Sequence, residues 1–462
     1  RTSCDPTKLN PTLWTTLRTA ESPRNRIVRL LILQLIVFAS IPVTLLRPFV
    51  GLLTYSWLAY MRPQDMVWGI TPRFSLFVAL AMFAGLALAY GRERWITLRT
   101  QTVLLIALAV WMGLSSLTAV EPMLAREWTI RMWKILLVAV LTTGLVRTHS
   151  RFRALYLVIA GSLGLLGLKY GLYSVMRGGV RLTNAGSFAD NNGLAMILVM
   201  GVPLLVGIYL TEESAWIRWG SVVLAIFSIA AIFSTFSRGG LISLAVVVMI
   251  LLARSGRPIT VGIVGVLALT MLLFTVSDEF KSTYTDRASS ITDYRQDASM
   301  RGRYREWNTA FHVFLDYPLM GVGPDNLQAV REFYVHDGSP FLTTHNAYLQ
   351  MLVACGLPGF LLYFGSLTLG IWRLEILRRR SSVPWGTTYA SMIQCSLIAY
   401  SVGGLIGDAA YYDLTYHLLA MTVSLELAIE SEVVPALGLQ QTKPKTASEW
   451  WRQAPIGNRP IT

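Results

Sequence analysis

The sequence predicts an all-α polytopic membrane protein, on three observations. Hydrophobic residues make up 53% of the 462 and charged residues only 14%, and mean hydropathy is +0.50, which excludes a soluble globular chain. Apolar runs of about the length needed to cross a bilayer, roughly 20 residues, recur along the chain. One long polar insertion, 277–345, stands between two sets of them.

Residues 1–26 are polar and aperiodic and are expected to form a disordered tail outside the fold. Thirteen apolar runs follow: 27–46, 48–60 (short), 74–90, 101–119, 129–146, 152–174, 193–211, 216–236, 239–253, 258–276, 346–372, 386–406 and 411–429. Short connections rich in arginine stay cytoplasmic. Arg92, Arg94 and Arg99, then Arg147, Arg151 and Arg153, then Arg254 and Arg257, then Arg373 and Arg378 to Arg380 fall at every second turn and mark one face. By parity the 277–345 loop lies on the opposite, periplasmic side. Thirteen crossings would put the basic tail outside, whereas one broken or re-entrant unit over 27–60, with breaks at Pro42 and Pro48, gives about 12 spans with both ends inside. The expected organisation is therefore amino-terminal membrane helices over 27–276, the periplasmic loop over 277–345, carboxy-terminal membrane helices over 346–430 and a cytoplasmic tail over 431–462.

The loop carries two helical signals. Tyr304, Trp307, Phe311 and Phe314 recur at helical spacing and predict an amphipathic helix over about 299–316. Leu327, Val330 and Phe333 suggest a second over 325–335, and the Gly- and Pro-rich stretch from Tyr317 to Asn326 forms the turn between them.

A net charge of +14 in so apolar a chain belongs in loops, since a cation in mid-bilayer is costly. It points to membrane lipids or a phosphate-bearing substrate, and nothing points to nucleic acid. Cys4, Cys355 and Cys395 are scattered, with no disulfide framework and no metal-type cluster. Arg238, between two apolar runs with almost no linker, reads either as a snorkelling interfacial arginine or as an anion clamp, since guanidinium pairs well with phosphate where water is scarce. Arg303 precedes Trp307 by four residues and shares its helix face, which suits pyrophosphate binding; Arg301 and Arg305 read as solvated. His345, at the junction of loop and membrane helix, can take a proton from a hydroxyl near neutral pH or be structural. Arg177 and Arg181, in the 175–192 loop on the same side, add positive charge, and Asp190-Asn-Asn-Gly reads as a helix cap. No metal or other cofactor is expected.

Three stretches in this order resemble the O-antigen ligase and polymerase superfamily of bacterial membrane glycosyltransferases. They are Ser237-Arg238-Gly239-Gly240, then Gly302-Arg303 with Trp307 and the Tyr317–Asn326 turn, then His345-Asn346-Ala347-Tyr348-Leu349 leading to Gly356-Leu357-Pro358-Gly359. The stretch Arg47–Gln64 resembles a module of proteins described as O-glycosylation ligases. The resemblance implies a GT-C-like fold in the bacterial inner membrane and an active site facing the periplasm. It also implies transfer of a glycan from undecaprenyl pyrophosphate to an acceptor hydroxyl without ATP or metal. In O-antigen ligases that acceptor is a sugar of the lipid A core. His345 would then be the general base, with Arg238 and Arg303 on the pyrophosphate. The same motifs fit an O-antigen polymerase or a protein O-oligosaccharyltransferase; a lipid-linked glycan transporter is the reading from a different class.

Overall fold

The computed structural model describes residues 23–66, 73–180, 182, 191–255, 298–336 and 343–436. Among these the regular structure is helical, without a strand, and seven helices are long and apolar enough to cross a membrane. Before the loop come α1 (Pro23–Leu46), α2 (Pro48–Tyr60), α3 (Phe74–Leu88), α4 (Thr100–Leu117), α5 (Pro122–Leu145), α6 (His149–Met176), α7 (Asn191–Thr211), α8 (Ala215–Ser234) and α9 (Arg238–Arg254). The loop contributes α10 (Ala298–Asp316) and the short α11 (Leu327–Arg331), and α12 (Ala347–Arg380), α13 (Pro384–Gly403) and α14 (Asp413–Ala436) follow. The apolar run expected at 258–276, the first part of the loop, and residues 1–22 and 437–462 of the expected tails lie outside the described residues, whereas 23–26 and 431–436, also expected in the tails, are helical.

The chain over 27–60 corrects the expectation of one broken or re-entrant unit, on which the count of 12 rested. Pro42 stays inside α1, while Pro48 opens α2, where a missing N–H leaves no bond unmade. Leu33 and Val37 of α1 pack with Leu58 of α2 and with Phe74 and Val78 of α3. Thr44 and Leu45 lie instead against Gly51 and Gly85, so α1, α2 and α3 run successively antiparallel as separate helices. Most of α7 is buried, as expected of a helix apolar on every side, with α6, α8, α9 and α13 around it.

The bundle has two chemically different ends. Away from His345, arginines are ion-paired: Arg99 with Glu430 at 2.9 Å, Arg151 with Glu93 at 2.6 Å, Arg373 with Glu426 at 3.1 Å and Arg378 with Glu375 at 2.7 Å. These are arginines of the connections that the sequence places on one face. The end that carries His345 is built from turns.

There α12 is interrupted at Gly356, whose φ is 64°. The break exposes carbonyls that a membrane helix cannot leave unpaired. The Tyr317–Asn326 turn answers them: Val322 N–H donates to the Val353 carbonyl at 2.9 Å, Gly323 N–H to Ala354 at 3.1 Å, and Leu357 N–H to the Pro318 carbonyl at 2.8 Å. From α4, Trp111 Nε1–H reaches the Cys355 carbonyl at 2.8 Å, and Ser115 Oγ lies within 2.9 Å of the Ala354 and Met320 carbonyls. A Cβ on Gly356 would stand 2.1 Å from the Leu319 oxygen.

The helix expected over 299–316 is α10, but its buried face is not the aromatic one. Glu306, Ala310 and Val313 are buried, whereas Tyr304 and Phe311 are exposed. Small side chains let α10 sit close to α12, and Glu306 turns inward because Arg331 of α11 donates to it at 2.9–3.1 Å. The second loop helix is shorter than expected, five residues.

Two stability predictions follow from these contacts. Gly356→Ala should destabilise by more than the about 1–3 kcal/mol of a positive-φ, extended-ψ backbone that glycine alone adopts readily, because the methyl also meets the Leu319 carbonyl; thermal melting in detergent reads this. Glu306→Ala takes the carboxylate away from the buried Arg331 guanidinium and should cost about 3–5 kcal/mol, whereas the double change Glu306→Leu with Arg331→Met should recover most of it.

Candidate active site

His345 sits immediately before α12 with a left-handed φ of 45°. Its neighbours hold the backbone on both sides. Asn346 caps the helix, its Oδ1 accepting from Tyr348 N–H at 2.9 Å and Leu349 N–H at 3.1 Å. On the other side Trp307 of α10 donates its indole N–H to the Thr344 carbonyl at 2.6 Å. The ring is thereby fixed at the seam between loop and bundle.

The α13–α14 connection supplies the partner that motif reading missed. His345 Nδ1 lies 3.1 Å from Asp408 Oδ2. Thr343 Oγ1 donates to the same oxygen and Thr344 Oγ1 to Oδ1 at 3.1 Å. Burial raises the Asp408 carboxyl, but the hydrogen bonds from His345, Thr343 and Thr344 outweigh it and hold the group below the usual carboxylate range. A charged Asp408 accepting from Nδ1–H leaves Nε2 with the lone pair, the tautomer a general base needs. The connection is itself tied to α12: Ala347 N–H donates to the Gly404 carbonyl at 2.7 Å and Ala410 N–H to Gln350 Oε1 at 3.2 Å.

The same connection meets the turn that carries Arg238. Gly239 faces Ile406, two residues before Asp408, across a gap that a methyl group would fill. Arg238 is the first residue of α9; Ser237 caps that helix by accepting from Gly240 N–H at 3.1 Å and donates to Asn192 Oδ1 at 2.8 Å. Phe236 takes a left-handed φ of 54° to make the turn, and Asn191 donates to the Thr235 carbonyl at 2.7 Å. The asparagines read as a cap thus latch α7 onto the α8–α9 turn.

Arg303 is half-buried, one helical turn before Trp307 and on the same face of α10. Arg301 is exposed, and Arg305 lies 3.5 Å from Glu306. Arg177 is exposed with its guanidinium 5.1 Å from the centre of the Tyr173 ring, near the end of α6. Arg181 and Asp190 lie outside the described residues.

A further group flanks the dyad. Asp325, in the turn before α11, has a left-handed φ of 60°. Its neighbour Asn326 is anchored to the Glu121 carbonyl at 3.2 Å at the start of α5. Burial of the Asp325 carboxyl and the Asp408 charge push it up to about 6, opposed by the Arg131 charge and the Trp128 indole.

Residues 222–364 match the O-Antigen ligase family model (Wzy_C), and residues 28–211 match a family of unknown function (DUF5935). The segment 222–364 is an O-antigen ligase domain. No curated protein matches the chain. The ligase domain carries Arg238, Arg303 and His345, while Asp408 lies beyond its end and Trp128 and Arg131 fall in the segment of unknown function.

The raised Asp325 carboxyl gives a signed prediction. Above about pH 6 it carries a charge that the fold disfavours, and below the ordinary carboxylate range it is neutral whether folded or unfolded. Asp325→Asn should therefore gain melting temperature relative to the unsubstituted protein as pH rises from about 4 to about 6, with a flat difference above. Asparagine also tolerates the left-handed backbone.

Proposed function

We propose that the protein is a lipid-linked glycan ligase of the O-antigen ligase type, transferring a glycan from undecaprenyl pyrophosphate to a hydroxyl of lipid A core. The observation that carries this reading is the pairing of His345 with Asp408 on a connection that also faces the Arg238 turn. A base that can take a hydroxyl proton and an arginine suited to phosphate are what transfer from a pyrophosphate leaving group requires.

In this reading the acceptor oxygen attacks the anomeric carbon as Nε2 of His345 takes its proton. The bond from that carbon to the pyrophosphate oxygen breaks, and the electron pair leaves with the carrier pyrophosphate. Arg238 and Arg303 stabilise the departing charge, with Arg177 and Arg181 adding to the positive field. Asp408 is a positioning residue: it fixes the tautomer and stabilises the imidazolium. The centre faces the periplasm, since the arginine connections at the far end of the bundle mark the cytoplasmic side. Transport is less well supported, because Glu426, the acidic residue deepest in the last helix, is paired with Arg373 at the far end.

The test is to supply purified carrier-linked glycan with lipid A core, with a hydroxyl-bearing peptide, or with a second carrier-linked chain, and to see which is extended. Extension of the second chain alone would make the protein a polymerase; of the peptide alone, a protein O-oligosaccharyltransferase. His345→Ala should lower turnover by about 10²–10⁴-fold with donor binding retained. Asp408→Asn should cost less, because the histidine remains while the imidazolium loses its counter-charge. Arg238→Ala and Arg303→Ala should raise the donor KM, with lysine a poor substitute because it cannot grip phosphate bidentately. Unchanged donor kinetics in both would remove the clamp.

A further inference from the structure

At the end of the bundle away from His345, three arginines converge on one carboxylate. Arg378 grips Glu375 with two bonds, Nε to Oε2 at 2.9 Å and Nη2 to Oε1 at 2.7 Å. Arg379 donates its Nε–H to Oε1, and Arg254 at the end of α9 stands 3.8 Å from Oε2. Arg254 is otherwise held by neutral acceptors of α13: the Ser391 carbonyl at 3.2 Å, the Ser391 hydroxyl at 2.9 Å and the Gln394 amide oxygen. Three positive charges therefore meet one negative charge, an excess of two among the described residues.

The uncommitted donors show where that excess points. Arg379 is 71% exposed and commits only Nε, so both of its terminal nitrogens are open to a further acceptor; Arg378 has one more. Trp372 lies seven residues before Arg379 on the same face of α12, about 10 Å along the axis. Its side chain is exposed, and its indole N–H has no partner among the described residues. Leu361 and Phe364 continue the exposed stripe away from the charged end. Guanidinium donors at the helix end, an indole one step inward and an apolar stripe beyond it match the phosphate, glycerol region and acyl chain of a phospholipid.

We propose that this face of α12 docks an anionic phospholipid of the adjoining leaflet, its phosphate held by Arg379 and Arg378 and an acyl chain laid along Trp372, Phe364 and Leu361. The charge excess selects an anionic headgroup, because a zwitterionic one brings its own cation to a cluster that is already positive. Guanidinium suits the phosphate, which it can meet with two parallel bonds. Arg254 adds charge but spends its terminal nitrogens on α13, so it ties α9 and α13 to the cluster instead of gripping the lipid. None of these residues belongs to the dyad or to the candidate pyrophosphate clamp, so the site is independent of the transfer reaction.

The experiment uses the full chain in detergent with phosphatidylglycerol, with phosphatidylcholine of the same acyl chains, or with glycerol phosphate. Melting temperature and, by native mass spectrometry, retained lipid are the readouts. Phosphatidylglycerol should raise the melting temperature and stay bound, with phosphatidylcholine weaker by about tenfold or more. Arg379→Gln should weaken phosphatidylglycerol by about tenfold, the loss of a charge-assisted contact, with Arg379→Lys between. Trp372→Ala should weaken it as well. Arg301→Gln, at an exposed arginine on the other end of the bundle, should leave the affinity unchanged. Arg379 is exposed, and melting of each variant in phosphatidylcholine shows that it folds. Equal stabilisation by phosphatidylcholine, or an unchanged phosphatidylglycerol affinity in Arg379→Gln, overturns the site. The same loss in Arg301→Gln as in Arg379→Gln reduces it to general attraction by a cationic protein and also overturns it. An equal shift from glycerol phosphate makes it a free-anion site and overturns the lipid assignment.

Discussion

The arrangement depends on a broken membrane helix whose exposed backbone is paired from outside itself. Where α12 unwinds at Gly356, the carbonyls of Val353, Ala354 and Cys355 are met by the Tyr317–Asn326 turn and by Trp111 and Ser115 of α4. In a bilayer an unpaired carbonyl costs several kcal/mol, so the break and the turn are stable only together. That coupling holds the loop against the bundle. It also explains the glycines: Gly321 at φ 69° and Gly356 at φ 64° stand where backbone meets backbone too closely for a side chain.

From that anchor the catalytic geometry follows in steps. The docked turn sets α10 along the start of α12, and Trp307 then reaches the carbonyl beside His345. The α13–α14 connection is shaped independently by buried hydroxyls: Tyr363 and Tyr400 lie 2.6 Å apart, and Tyr400 donates to the Ala409 carbonyl at 2.7 Å. A buried network satisfied in this way resists small displacements. Asp408 is therefore fixed by one set of contacts and His345 by another, and the dyad forms where they meet. Backbone at φ 45° for His345 is the local cost of presenting an imidazole at the seam.

Sequence pattern reached some of this and not the rest, for physical reasons. Helix periodicity located α10 to within a residue at its start, because propensity and spacing agree over a long segment. It misjudged the buried face, because the packing there is chosen by Ala310 and Val313 and by the Glu306–Arg331 pair, and an ion pair leaves no hydrophobic signal. His345 and the arginines were legible as polar residues at the edges of apolar runs. Asp408 was not: it stands alone in a short link between two spans, 63 residues after His345. A search for grouped carboxylates passes over it, although an acidic residue after Gly407 at the end of a membrane helix was a signal of an exposed turn. The double-back at α1 and α2 was hidden because proline marks a helix start as readily as a break.

The two family segments divide the sequence in a way that the chemistry does not follow. The ligase domain ends at residue 364, yet the carboxylate that orients its histidine lies at 408 and the helix facing that carboxylate begins at 122. In a membrane bundle this is expected, since every second crossing returns the chain to the same surface and residues far apart in sequence share one end. The turn that holds the loop shows the same dependence, bonded to Ser115, Val120 and Glu121, all within the segment of unknown function. Cutting the chain between the two segments would leave the break in α12 without the α4 half of its hydrogen bonds, and the His345 seam without its anchor. The amino-terminal segment is accordingly part of the folding unit that makes the site.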